Sequence, residues 1–110
     1  MRSTPRDTDR RTATVSTLLP ITAAMASFSG AFSDGTPFQM VRTATGVYEY
    51  YFDHRLIPLS GFVELHQNAR IFPNIGAMSP GRMNVNFLLH DGTDVNTQHD
   101  LNINWLDTRT

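Results

Sequence analysis

The stretch Gly46-Val47-Tyr48-Glu49-Tyr50-Tyr51-Phe52-Asp53 decides how this chain folds. It sets three tyrosines and one phenylalanine in eight residues, beside two acids. Helical spacing would scatter these rings around an axis, whereas period-two spacing sorts them. Tyr48, Tyr50 and Phe52 then face one way, and Val47, Glu49, Tyr51 and Asp53 face the other. Such a strand buries an aromatic row against a second layer and leaves Tyr51 outside it.

The same alternation recurs on either side. Val15, Thr17, Leu19 and Ile21 alternate with polar or small residues and predict a first strand. Residues 22–36 are small and flexible, with turn signals at Gly30 and Asp34-Gly35. They read as a loop or irregular strand, with a short helix over 22–28 as the alternative. Phe38, Met40 and Arg42 alternate next, and Thr45-Gly46 makes a turn. Pro58 is expected to end the extended stretch, since proline cannot donate to a ladder. Residues 61–67 form a strand with Val63 and Leu65 opposed to Phe62, Glu64 and His66. A short strand is expected at 69–72 and a loop over 75–81. Met83, Val85, Phe87 and Leu89 alternate with Asn84, Asn86, Leu88 and His90. After an Asp91-Gly92 hairpin turn, Leu101, Ile103 and Trp105 point inward against Asn102 and Asn104. Seven or eight strands in this length predict an all-β fold, an antiparallel β-sandwich or jelly roll, over residues 15–110. A polar arm, residues 1–14, precedes it.

Composition narrows the function classes. At 110 residues and 12.3 kDa the chain suffices for one domain with its own core. Charged residues are 17 %, below the roughly 25 % usual in soluble domains. A net charge of −1 gives no general attraction to nucleic acid or acidic membranes. All nine cations are arginine, which removes Schiff-base and P-loop lysine chemistry and suits interfacial pairing, though a coding bias explains it equally well. The absence of cysteine excludes disulfides, thiolate metal sites and cysteine nucleophiles. Residues 12–27 imitate a secretory signal ending in Ala24-Met25-Ala26, but Asp7, Asp9, the threonines and Pro20 argue against it. No stretch approaches the roughly 20 apolar residues that span a bilayer as a helix. Arg2, Arg6, Arg10 and Arg11, tempered by Asp7 and Asp9, are expected to grip a neighbouring subunit, not a nucleic acid.

Catalytic patterns are not found. His54, His66, His90 and His99 have no metal-ligand spacing and are expected to be solvated or interfacial. Asp91-Gly92-Thr93-Asp94 reads first as a turn, with a bound cation as the alternative, because the ligand ladder of a calcium loop does not follow. Glu49 and Glu64 have spacing that allows them to be neighbours across strands, but they are read as solvent-facing acids and no cleft is implied. Ser79 is followed by Pro80 and lies outside any G-x-S-x-G elbow. Asp53-His54 and His99-Asp100 are adjacent, so along a strand each pair points to opposite faces. No enzyme activity, cofactor or metal is expected.

Phe38 through Leu65, followed by Met83 through Leu106, resembles the jelly-roll modules on tailed-bacteriophage virions. The features are an apolar strand, Thr45-Gly46-x-Tyr48-x-x-x-Phe52, a short loop into Ile57-Pro58, and closing strands that end in Asn102-x-Asn104-Trp105. A similar rhythm occurs in C1q- and TNF-like trimeric domains. The likeness spans about residues 36–107. It implies a structural virion protein on the capsid or tail surface, a decoration or cement protein that contacts its own copies as a homotrimer and the major capsid protein. The alternative it implies is a minor tail or fibre-tip protein that binds a host-surface glycan or receptor, with Tyr51 or Trp105 as stacking platforms. Tyr51 is assigned to a subunit contact ahead of a sugar site.

Overall fold

A computed structural model describes residues 11–17, 25–65 and 71–108. Eight strands follow one another: β1 (Arg11–Ser16), β2 (Ser27–Ala31), β3 (Pro37–Ala44), β4 (Val47–Tyr51), β5 (Leu56–Leu65), β6 (Ile71–Ser79), β7 (Arg82–Leu89) and β8 (His99–Asp107). They form two antiparallel sheets, of order β1-β8-β5 and β2-β3-β4-β7-β6. The chain passes between sheets after β1, β4, β5 and β7, and its first and last described strands pair. The result is the expected all-β sandwich.

The inward faces obey the period-two rule. Phe38 and Met40 of β3, Tyr48 and Tyr50 of β4, and Met83, Val85 and Phe87 of β7 are buried from one side. Val15 of β1, Leu56 of β5, and Leu101, Ile103 and Trp105 of β8 meet them from the other. Trp105 is 1 % exposed, so it is a core residue and not a stacking platform. Its ring lies 5.2 Å from Phe32 and 5.4 Å from Phe52, centroid to centroid. Aromatic contacts at this spacing add about 0.5–1.5 kcal/mol each beyond the area they bury.

Several local expectations are corrected. Residues 22–36, read as a loop or irregular strand, contain the strand β2, and Phe32 just beyond it is wholly buried at the centre of the aromatic cluster, 4.5 Å from Phe38. The first strand lies earlier than the apolar alternation suggests, at Arg11–Ser16; Leu19 and Ile21 fall outside the described residues. Pro58 sits inside β5, opposite Trp105, where the register then shifts. Pro73 and residues 75–79 belong to a nine-residue β6. Both prolines are tolerated because β5 and β6 are edge strands, so a missing N–H need not break an interior ladder.

The Asp91-Gly92 turn is real and closes a short antiparallel bridge between Leu88 and Asp94, but it does not pair β7 with β8. Gly92 has φ +88°, the Thr93 N–H donates to Asp91 Oδ1 at 3.0 Å, and the Asp91 carboxyl is held below its ordinary range by that bond. β7 and β8 nevertheless lie in different sheets. The intervening segment docks on the β3–β4 turn instead. Gly46, at φ +74°, has no room for a Cβ, which would stand 2.8 Å from the Val95 carbonyl. Its N–H donates to Asn96 Oδ1 at 2.7 Å.

Phe32→Ala should cost about 3–5 kcal/mol in chemical denaturation, as expected for an emptied aromatic site. Phe72→Ala, at a position 57 % exposed on β6, should stay within about 0.5 kcal/mol of the parent. Equal losses would contradict this assignment of the core.

Candidate functional site

Buried polar chemistry concentrates at the start of β8. His99 is fully buried, its ring 4.8 Å from Tyr48 and 4.7 Å from Phe87. This corrects the expectation of a solvated or interfacial histidine. The Thr97 carbonyl can only accept, so His99 Nδ1 carries the proton it receives at 2.8 Å. Nε2 lies 2.7 Å from Tyr50 Oη and accepts a hydrogen bond from its O–H, so the ring is neutral, as burial demands. Tyr48 Oη accepts from the Thr97 N–H at 3.1 Å. Burial pushes the phenol of Tyr50 well above its ordinary range, and also raises that of Tyr48. With no exposed atom in His99, this cluster is built to brace the sandwich.

The outer face of the five-stranded sheet is accessible. Across it run the rows Ser29–Gln39–Tyr51–Arg82 and Ser27–Val41–Glu49–Asn84. Glu49 is only 8 % exposed despite lying on this outer face. Arg82 donates Nε to its Oε2 at 2.8 Å and Nη2 to its Oε1 at 3.0 Å, while Asn84 Nδ2 donates to Oε1 at 3.0 Å. The Arg82 hydrogen bonds hold the Glu49 carboxyl below its ordinary range. Glu49 is therefore a clamped carboxylate, not a solvated one. Glu64 is on β5 of the other sheet, so the two acids are not strand neighbours.

Arg82 also reaches Tyr51, with its guanidinium carbon 5.6 Å from the ring centroid. Tyr51 is 38 % exposed and lines an open groove of about 610 Å³ with Ser29, Gly30, Pro37, Phe38, Gln39, Phe52 and Asp53. Asp53 forms an ion pair with Arg55 at 2.7 Å. A second hollow, of about 280 Å³, shares Pro37 and Asp53 and adds Asp34 and Thr36. Sequence reasoning singled out Tyr51 but not Gln39, whose role follows only from its pairing opposite Tyr51.

The outer face of the three-stranded sheet is different in kind. Its rows are Thr12–Leu106–Ile57, Thr14–Asn104–Ser60 and Ser16–Asn102–Phe62, with Leu59 at the bulge between Pro58 and Ser60. Leu59 is 47 % and Phe62 57 % exposed. These rows hold no charged side chain; acids enter only at the next pair, Glu64 and Asp100. Of the arginines expected to grip a neighbour, Arg2, Arg6 and Arg10 lie outside the described residues, and Arg11 opens β1. Among the described residues no group of three His, Cys, Asp or Glu is placed to hold a metal, and no helix is long and apolar enough to cross a membrane.

Two pH effects follow. Glu49 has a lowered carboxyl pKa in the fold, so its contribution is complete above about pH 4.5 and is lost as pH falls through the lower folded value. The difference in thermal midpoint between the parent and Glu49→Gln should therefore shrink on acidification. At the other extreme, Tyr48 and Tyr50 bind their protons more tightly folded than unfolded, so stability should fall as pH rises above about 10. Ultraviolet titration should show two of the three tyrosines ionising together with unfolding. No family model, curated protein or solved structure matches the chain.

Proposed function

We propose that this chain is a structural assembly protein that associates with its own copies through the outer face of the three-stranded sheet. The observation that carries the reading is the set Ile57, Leu59, Phe62 and Leu106, gathered on an uncharged surface among Thr, Ser and Asn. Depletion of charge together with exposed apolar side chains is what sets the core of an interface apart from the rest of a surface. Three strands about 4.8 Å apart, over about six residues, cover on the order of 200 Å². A standard interface buries about 800 Å² per partner, so this face is the centre of a larger contact. Arginines of the polar residues 1–10, which precede β1 in the sequence, are the proposed further part of that contact.

The resemblance to tailed-phage surface modules supplies the setting: a homotrimer on the capsid or tail surface that cements neighbouring shell subunits. Sedimentation of the full chain should show a stable oligomer, and binding to purified shells should follow. Leu59→Asp and Phe62→Asp should each weaken self-association by about 2 kcal/mol, roughly 30-fold, with an unchanged unfolding transition. A parent protein that sediments as a monomer, or variants that associate as well as the parent, would refute the reading.

A further inference from the structure

We propose that His99 is an acid-operated latch: a proton taken up at its Nε2 releases the connection between β7 and β8 from the β3–β4 turn. The latch lies in the core and does not rest on the assembly reading.

The connection is held by a few hydrogen bonds that converge on one imidazole. The Gly46 N–H donates to Asn96 Oδ1 at 2.7 Å, the Val95 N–H to the Phe87 carbonyl at 3.2 Å, and the Thr97 N–H to Tyr48 Oη at 3.1 Å. The Thr97 carbonyl accepts from His99 Nδ1 at 2.8 Å. Thr97 Oγ1 is buried and has no hydrogen-bond partner among the described residues. A buried hydroxyl in that state gains a partner when it meets water, so opening here recovers part of its own cost. His99 has one acceptor, Nε2, and the Tyr50 O–H already fills it at 2.7 Å. A second proton on the ring would face the Tyr50 hydrogen. Tyr50 would then have to give up its bond while remaining wholly buried.

The described surroundings do little to hold a charge on the ring. From β4, Tyr48 and Tyr50 stay protonated, because burial pushes both phenols up. β7 presents Phe87, and β5 places Leu65 opposite His99. β3 brings a cation, Arg42, opposite Tyr48, and beyond β1 the Thr17 hydroxyl accepts from the Leu101 N–H. The acids nearest in register, Asp100 and Glu64, stand opposite one another on the outer side of the three-stranded sheet, where water screens them. An imidazole freed into water takes a proton below about pH 6.5. The closed form does not, so the latch holds above that pH and weakens as pH falls below it. Glu49, with its lowered carboxyl pKa, keeps its charge through this range, which separates the two acid effects.

The test is hydrogen exchange of the full chain by NMR between pH 7 and pH 5, expressed as protection relative to an unfolded amide at each pH. Protection of the Gly46 and Thr97 amides should fall about 25-fold over this range. That of Phe52 and Gly81, bonded at the other end of β4, should change by less than about threefold. His99→Gln keeps an amide that donates and accepts but cannot titrate, so it should hold Gly46 and Thr97 protection within about twofold. If His99→Gln does not fold, the ring-nitrogen spectrum of the parent decides: Nε2 should stay unprotonated for as long as the Thr97 amide is protected. The proposal is overturned if His99 takes up a proton with that protection intact, or if Gly46 and Thr97 show no pH response. It is equally overturned if all four amides lose protection together, or if folded His99→Gln responds to pH as the parent does.

Discussion

Tyr50 of β4 and His99 of β8 meet across the middle of the sandwich, Oη to Nε2 at 2.7 Å, with no exposed atom on either side chain. Much of the molecule is organised around that bond. It sets which nitrogen of His99 is protonated, which directs Nδ1 to the Thr97 carbonyl. The Thr97 N–H in turn fixes Tyr48, so two adjacent core residues of β4 are tied to one short segment before β8. A buried polar pair of this kind is tolerated only when its hydrogen bonds are made, which fixes the sheets in one register. A purely apolar contact at the same place would permit sliding.

From that anchor β8 runs as the central strand of its sheet, with Leu101, Ile103 and Trp105 continuing the inward row. Phe32 and Phe52 close the far end against Trp105. The connection from β7 is held at Gly46, where only the absence of a Cβ lets residues 95–96 approach the β3–β4 turn. The interior is thus occupied by structural work, and chemistry directed outward must lie on the two outer faces. Those faces divide the surface unequally. The five-stranded sheet carries a clamped carboxylate, an arginine and a tyrosine beside a groove; the three-stranded sheet carries apolar and small polar residues, with Glu64 and Asp100 at one end.

Tyr51 and Phe62 are both exposed aromatics, yet their surroundings differ. Tyr51 is covered by a guanidinium and stands in an open groove with Gln39, Pro37, Phe38 and Phe52. Phe62 lies beside Asn102 on the face that also carries Leu59 and Ile57, which favours another protein surface.

The amino-acid pattern by itself determined the all-β class, the turn at Gly46, and the inward rows of β4, β7 and β8. Strand alternation reports directly which side of a ribbon is apolar, and the aromatic rows leave little ambiguity. Only the tertiary structure decided which sheet each strand joins, because alternation carries no information about the neighbour. Hence β7 and β8 read as a hairpin but separate into two sheets, and Glu49 and Glu64 read as neighbours but stand in different layers. Pro58 and Pro73 read as strand ends because their edge positions are a property of the assembled sheet. Glu49 and His99 read as solvated because a side chain's partners, here Arg82 and Tyr50, are distant in sequence. The side of a strand is written locally; its partners are settled when the sheets pack.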